Sequence, residues 1–209
     1  TPRSRARPAC TNAFSRRCER GRSQLRENAV MTVWVALLRG VNVGGITIKS
    51  APLRELFVGM GFDEVTTVLA SGNVAFRSRR TGRRGLKADI EKALRERFGY
   101  DAWIVLCTKA DVDAAARAFP FDAADSTRQP YVIFGSDEAA LDELVAAAAS
   151  MDPVVDPVQR GVGVVYWHPA AGSSTDTPFA KLLAKAKYKS TTTNRNLRTL
   201  QKVLAAAAD

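Results

Sequence analysis

The chain has 209 residues, and 31 Lys+Arg against 21 Asp+Glu leave a formal net charge of +10. With 46% hydrophobic and 25% charged residues, the composition excludes a wholly disordered or fibrous chain. Charge interrupts every apolar stretch before the roughly 18 residues that a membrane-spanning helix needs.

Residues 1–30 carry eight arginines (Arg3, Arg5, Arg7, Arg16, Arg17, Arg20, Arg22, Arg26) against Glu19 and Glu27, so +6 of the +10 sits there. The segment has no apolar period, since Phe14, Leu25 and Val30 are its only large hydrophobes. It reads as a disordered basic extension upstream of Met31. A nucleic-acid-binding arm and a transit peptide are the competing readings, and Pro2 and Pro8 oppose the second. The remainder carries only +4, which is no nucleic-acid footprint.

From Met31 the pattern alternates. Val33 to Leu38 is an uninterrupted apolar run, which predicts a strand buried on both faces. Arg39 to Lys49 is a polar, glycine-bearing loop. Leu53, Leu56, Phe57 and Met60 fall on one helix face, closed by Gly61. Val65–Ala70 and Asn73–Arg77 predict two strands joined at Ser71-Gly72. After the basic loop Arg77–Arg84, Leu86, Ile90, Leu94 and Phe98 mark a second helix, and Trp103–Leu106 a fourth strand.

This order, β-α-β-β-α-β, is the ferredoxin-like unit. A short helix over Ala110–Ala118, ended by Pro120, leads to a second such unit. Its strand is Tyr131–Phe134, and its first helix carries Leu141, Leu144, Val145 and Ala148. Val154-Val155 and Val162–Trp167 are the expected hairpin strands. Phe179, Leu182, Leu183 and Ala186 mark the next helix, Thr191–Thr193 a fourth strand, and Leu197, Leu200, Val203 and Leu204 a last helix. The expected architecture is α+β: two ferredoxin-like βαββαβ subdomains with antiparallel sheets, helices on one face of each, and an extra C-terminal helix. The expected organisation is 1–30 extension, 31–108 first subdomain, 109–128 linker helix, and 129–209 second subdomain. Two helices cover one face of each sheet, so the other faces either expose an interface or pack on each other.

Chain direction places the loop after strand one beside the turn between strands two and three, because the intervening crossover returns the chain. That brings Arg39, Gly40, Asn42, Gly44, Gly45 and Lys49 toward Ser71, Gly72 and Asn73. Glycines permit close backbone approach, free N–H groups can form an anion nest, and Arg39 can grip two oxygens of a phosphate or carboxylate. Turn chemistry alone would also explain these residues. Asn194, Arg195 and Asn196 open the last helix in this reading, where an anion or a simple Asx cap would fit.

Other chemistry is sparse. Cys10, Cys18 and Cys107 form no C-x-x-C pair, and His168 is the only histidine, so metal ligation and a Ser-His-Asp site have no support. The acids at Asp111, Asp113, Asp122, Asp125, Asp137 and Glu138 sit where helix starts are expected and read as caps. An RNA-recognition surface would need aromatics on strands one and three, where only Trp34 and Phe76 stand. No cofactor, metal or membrane partner is expected, nor any catalytic residue assigned. The leading expectation is a small anionic ligand in a cytoplasmic protein, with a nucleic-acid-binding or assembly module as the alternative.

Leu37-Leu38-Arg39-Gly40-Val41-Asn42-Val43-Gly44-Gly45, Leu53–Gly61, Ser71-Gly72-Asn73-Val74 with Phe76, and Thr193-Asn194-Arg195-Asn196 with Thr199 and Leu204 together resemble the bacterial domain-of-unknown-function family 1697. The resemblance spans nearly all of 31–209 and implies two ferredoxin-like subdomains in a cytoplasmic protein, without an established activity. The chain departs at Ser50, Ala70 and Leu197, where relatives often carry Met, Gln and Trp.

Overall fold

The computed structural model describes residues 31–41, 47–99 and 103–207. The basic extension and Asn42, Gly44 and Gly45 therefore lie outside the described residues.

Strand β1 (Thr32–Arg39) is followed by α1 (Ser50–Gly59), β2 (Asp63–Val68), β3 (Asn73–Ser78), α2 (Arg83–Phe98) and β4 (Trp103–Thr108). Helix α3 (Lys109–Arg117) leads to β5 (Tyr131–Gly135), α4 (Glu138–Ala148), β6 (Val158–Gly161), β7 (Val164–Trp167), α5 (Pro178–Leu183), α6 (Ala186–Lys189), β8 (Thr192–Asn196) and α7 (Leu197–Ala206). The sheets are ordered β2-β3-β1-β4 and β6-β7-β5-β8, and every ladder is antiparallel. These are two βαββαβ subdomains plus a C-terminal helix.

The alternation of side chains along each strand explains the layers. In β1, Trp34, Ala36 and Leu38 face a core shared with α1 and α2, while Val35 and Leu37 face the other way. That second face meets Val132, Phe134, Val164 and Tyr166 of the other sheet in one common core. So the helix-free faces pack on each other, and the apolar run of β1 is continuous because both of its faces are buried. Helix α3 contributes Val112 and Ala115 to this middle layer, and α7 contributes Leu197, Leu200 and Val203. The remaining face of the second sheet packs Ile133, Val165 and Trp167 on α4, α5 and Tyr188.

Local chemistry sets several helix starts. Thr108 and Asp111 form a reciprocal capping box on α3, Asp137 caps α4, and Thr177 with Pro178 starts α5. Asp122 and Asp125 open no helix. Their carboxylates instead accept from Ala124 and Thr127 backbone N–H groups in consecutive turns.

Three further expectations need correction. Val154-Val155 is not a strand: Asp152 holds it in a turn between Pro153 and Pro157, and β6 begins only at Val158. The hairpin then closes through Val162-Gly163, where Gly163 supplies the positive φ of 66°. Asn194 and Arg195 do not open the last helix, because they belong to β8 and pair across to Ile133 and Val132. Only Asn196 caps α7, its side chain accepting from the Arg198 N–H. The helix marked by Phe179 to Ala186 is two short helices, α5 and α6, rather than one.

Candidate functional site

The end of β1 and the β2–β3 turn lie against each other. Leu37 pairs with Asn73 at the last rung of the ladder, and the Leu38 N–H donates to the Gly72 carbonyl at 2.8 Å. Gly72 has φ 69°, and a Cβ there would stand 2.9 Å from the Leu38 Cβ and 3.3 Å from the Val41 Cβ. No side chain fits that approach. Val41 and Ile48, which flank the undescribed loop residues, are both buried in the α1–α2 core and anchor the loop at its two ends.

Asn73 is fully buried. Its amide donates to the Val68 carbonyl at 2.8 Å and to the Ser71 Oγ at 2.9 Å. Its Oδ1 accepts from Arg195 Nε at 2.5 Å. Arg195 comes from β8 of the other subdomain and spends its remaining N–H groups on oxygen atoms. Nη1 donates to Thr193 Oγ1 and the Asn194 carbonyl, at 2.7 and 2.8 Å. Nη2 donates to the carbonyls of Leu38, Ser71 and Gly72, at 2.5, 3.1 and 3.4 Å.

Arg39 reaches in the opposite direction. Its Nη1 donates to the Tyr188 carbonyl at 3.0 Å, the Thr192 carbonyl at 2.7 Å and Thr192 Oγ1 at 2.8 Å. Its Nη2 donates to the Leu183 carbonyl at 2.8 Å. Each subdomain thus lends one guanidinium to the other's backbone. Burial lowers the pKa of both arginines, that of Arg195 to about 10, with the charge of Arg39 adding to the shift. Arg195 stays charged near neutral pH, and among the described residues neither guanidinium is paired with a carboxylate.

Of the residues singled out in the sequence, Arg39, Ser71, Gly72, Asn73 and Arg195 share this junction. Gly40 is exposed with φ 77° beside it. Lys49 is exposed at the N-cap of α1, a helix with no side-chain cap and no acid in its first turn. Asn194 is exposed on β8, and Asn196 is committed to capping α7. Thr192 and Thr193 were missed as site residues. The one signal for them was a polar strand of strand-forming threonines next to an arginine.

Elsewhere, Trp34 and Phe76 face each other across the ladder and are buried in the α1–α2 core, so neither offers a stacking surface. Most of the basic loop is paired: Arg77 to Glu64, Arg80 to Asp89, Arg83 to Asp111. The Cys107 thiol is buried and pushed up to about 12, which makes it a poor nucleophile. Among the described residues there is no cluster of metal-ligating side chains, and no helix is long and apolar enough to cross a membrane.

Comparison with known proteins fits this architecture. A family described as a protein of unknown function (DUF1697) matches residues 31–166, from β1 to the third position of β7. The chain belongs to the DUF1697 family. The DUF1697 chain is also similar to the solved structure of conserved bacterial protein SP0830 from Streptococcus pneumoniae. The two share 23% identity with a TM-score of 0.71, over 86% of this chain and 100% of that one. At that identity the likeness establishes the shared fold alone. No curated protein matches the chain.

Proposed function

We propose that this DUF1697 protein is a cytoplasmic protein that binds a small anionic or phosphate-bearing ligand where the Arg39–Gly45 and Ser71–Asn73 loops meet. One observation carries the reading: Arg39 and the buried Arg195 meet at one junction, their N–H groups are held by neutral oxygen atoms, and among the described residues neither is paired with a carboxylate. Like charges taken out of water together are costly, and an anion on the rim offsets that cost. The guanidinium N–H groups are largely engaged by carbonyls, so the two arginines supply field, and contact falls to the rim. Lys49, Ser71, the uncapped start of α1 and the Asn42, Gly44 and Gly45 backbone are the donors this reading uses. Among the described residues no nucleophile stands beside a base at the junction, so binding rather than turnover is proposed.

Thermal-shift measurements on the full chain with inorganic phosphate, nucleotides and phosphorylated sugars test it. A ligand present at a hundred times its Kd should add about 2.7 kcal/mol of stability. The shift should disappear in both Lys49→Ala and Arg39→Ala. No shift across the panel, or one that survives both substitutions, rejects the reading.

A further inference from the structure

Positive charge is unevenly placed within residues 31–209 as well. The stretch 177–208, which runs from α5 to α7, carries seven bases and no acid, whereas the rest of 31–209 sums to −3. The small net charge of the fold therefore hides one strongly basic region.

The bend between α5 and β8 holds four of these bases, Lys181, Lys185, Lys187 and Lys189, and all four are exposed. The same bend grips Arg39. The carbonyls of Leu183, Tyr188 and Thr192, which accept from the Arg39 guanidinium, are spread along it. Lys185 thus lies between two of these anchors, and Lys189 follows directly on Tyr188. The Tyr188 N–H donates to the Lys185 carbonyl at 3.1 Å, so the segment turns tightly and keeps Lys185 and Lys189 near each other.

Acids do not offset this charge. Glu143 of α4 takes Lys187, whose ammonium also lies 4.8 Å from the centre of the Tyr188 ring. Glu138 and Asp142 of α4 are both held by Arg160, and Asp176, just before α5, accepts from the Thr175 hydroxyl. Lys181, Lys185 and Lys189 have no partner among the described residues. Three unpaired lysines therefore surround a junction whose two arginines are met by neutral oxygen atoms alone.

That excess selects among anions. A single phosphate monoester carries about −1.5 to −2 near neutral pH, which leaves most of these five positive charges unmatched. Linked phosphates supply more negative charge within a short span. The four lysines also crowd into nine residues beside one guanidinium, which suits a compact anion better than an extended strand. We propose that the ligand of this site is a compact polyphosphate, a small molecule with two or more linked phosphates, one at the Arg39 rim and the next on Lys185 and Lys189. The inference rests on the phosphate reading above and adds to it a contact surface from the second subdomain.

Calorimetric titration of the full chain at constant ionic strength compares inorganic phosphate, pyrophosphate and tripolyphosphate. Affinity should rise along that series by about tenfold or more, each exposed charge contact being worth about threefold. Lys185→Gln/Lys189→Gln removes two exposed, unpaired charges and should weaken tripolyphosphate about tenfold, while phosphate changes by less than about threefold. Arg3→Gln/Arg5→Gln, an equal loss of charge in the basic extension, should leave all three anions unchanged. Phosphate binding that needs Arg39 but gains nothing from added phosphates, or tripolyphosphate binding indifferent to the lysine pair, overturns this inference and leaves the phosphate reading standing. Equal weakening in both charge variants overturns it too, because overall charge rather than the bend would then set the affinity. An oligonucleotide without terminal phosphates that binds through the lysines where tripolyphosphate does not would assign the bend to a nucleic-acid strand and reject the compact ligand. Failure of the phosphate reading itself looks different: no anion binds, or phosphate binding survives Arg39→Ala, and either result removes both.

Discussion

The interface between the two subdomains has two unlike ends. At one, Arg39 and Arg195 cross in opposite directions, and each guanidinium is met by carbonyl oxygens of the other half. At the other, α3 brings alanines where larger side chains would close the gap, and a cavity remains. The same pair of sheets is thus fixed by a network of directional hydrogen bonds on one side, and on the other by a single buried one, from the Tyr166 hydroxyl to the Ala115 carbonyl at 3.0 Å, beside an open groove. Polar groups set the register of the halves there, while the common apolar core supplies non-directional attraction that would tolerate sliding.

The contrast can be broken most severely at Arg195. Arg195→Met leaves Asn73 Oδ1 and the Leu38 carbonyl unsatisfied inside the protein, and should cost about 3–5 kcal/mol in chemical denaturation. Arg195→Lys should recover less than roughly half of that, since an ammonium cannot reproduce the planar fork. A next step down is Gly72→Ala, whose methyl meets the Leu38 Cβ in a left-handed backbone conformation. A loss of about 1–3 kcal/mol is expected from the same measurement.

A smaller effect separates the two ends by pH. His168 is buried, with Phe121 stacked on its ring at 5.5 Å and Phe119 edge-on at 5.6 Å, and its Nε2 is a buried atom without a hydrogen-bond partner. Burial lowers its pKa below 6.5, Arg128 lowers it further, and Asp125 and Asp122 act the other way. The unfolded chain then binds the proton more readily than the folded one. Stability should be level above the unfolded value of about 6.5 and fall as the pH drops from there through the lower folded value. Hydrogen exchange should show the loss first in the segment after α3, while amides around Asn73 and Thr192 keep their protection. Equal loss at both ends would mean that the interface opens as one unit. The smallest expected effect is at the cleft rim, where a double-mutant cycle on Arg83 and Asp111 should return less than about 1 kcal/mol, because the pair is about half exposed.

Much of the fold was legible because it rests on period. Val33–Leu38 announced a strand buried on both sides, and Leu86, Ile90 and Leu94 announced the buried stripe of α2. The proximity of the β1 end and the Ser71-Gly72 turn followed from crossover direction alone. Strand β6 was hidden because Gln159 and Arg160 are less apolar than Val154-Val155 just upstream, and apolarity was the signal being read. Arg195 was misplaced for a related reason. A buried arginine is stabilised by carbonyls from Leu38, 157 residues away, and backbone oxygens leave no trace in side-chain pattern. The cleft was invisible in the same way, since alanines on a helix do not announce whether anything packs against them.

The placement of α7 has a bearing on how the protein is made. Leu197, Leu200 and Val203 cover the inner side of β2 and β3, elements that leave the ribosome more than a hundred residues earlier. Until that helix emerges, the nascent first half carries a bare Val68 on this part of its inner surface. Covering of the β2–β3 edge therefore waits on α7, and a truncation that removes this helix would leave that apolar edge open to aggregation.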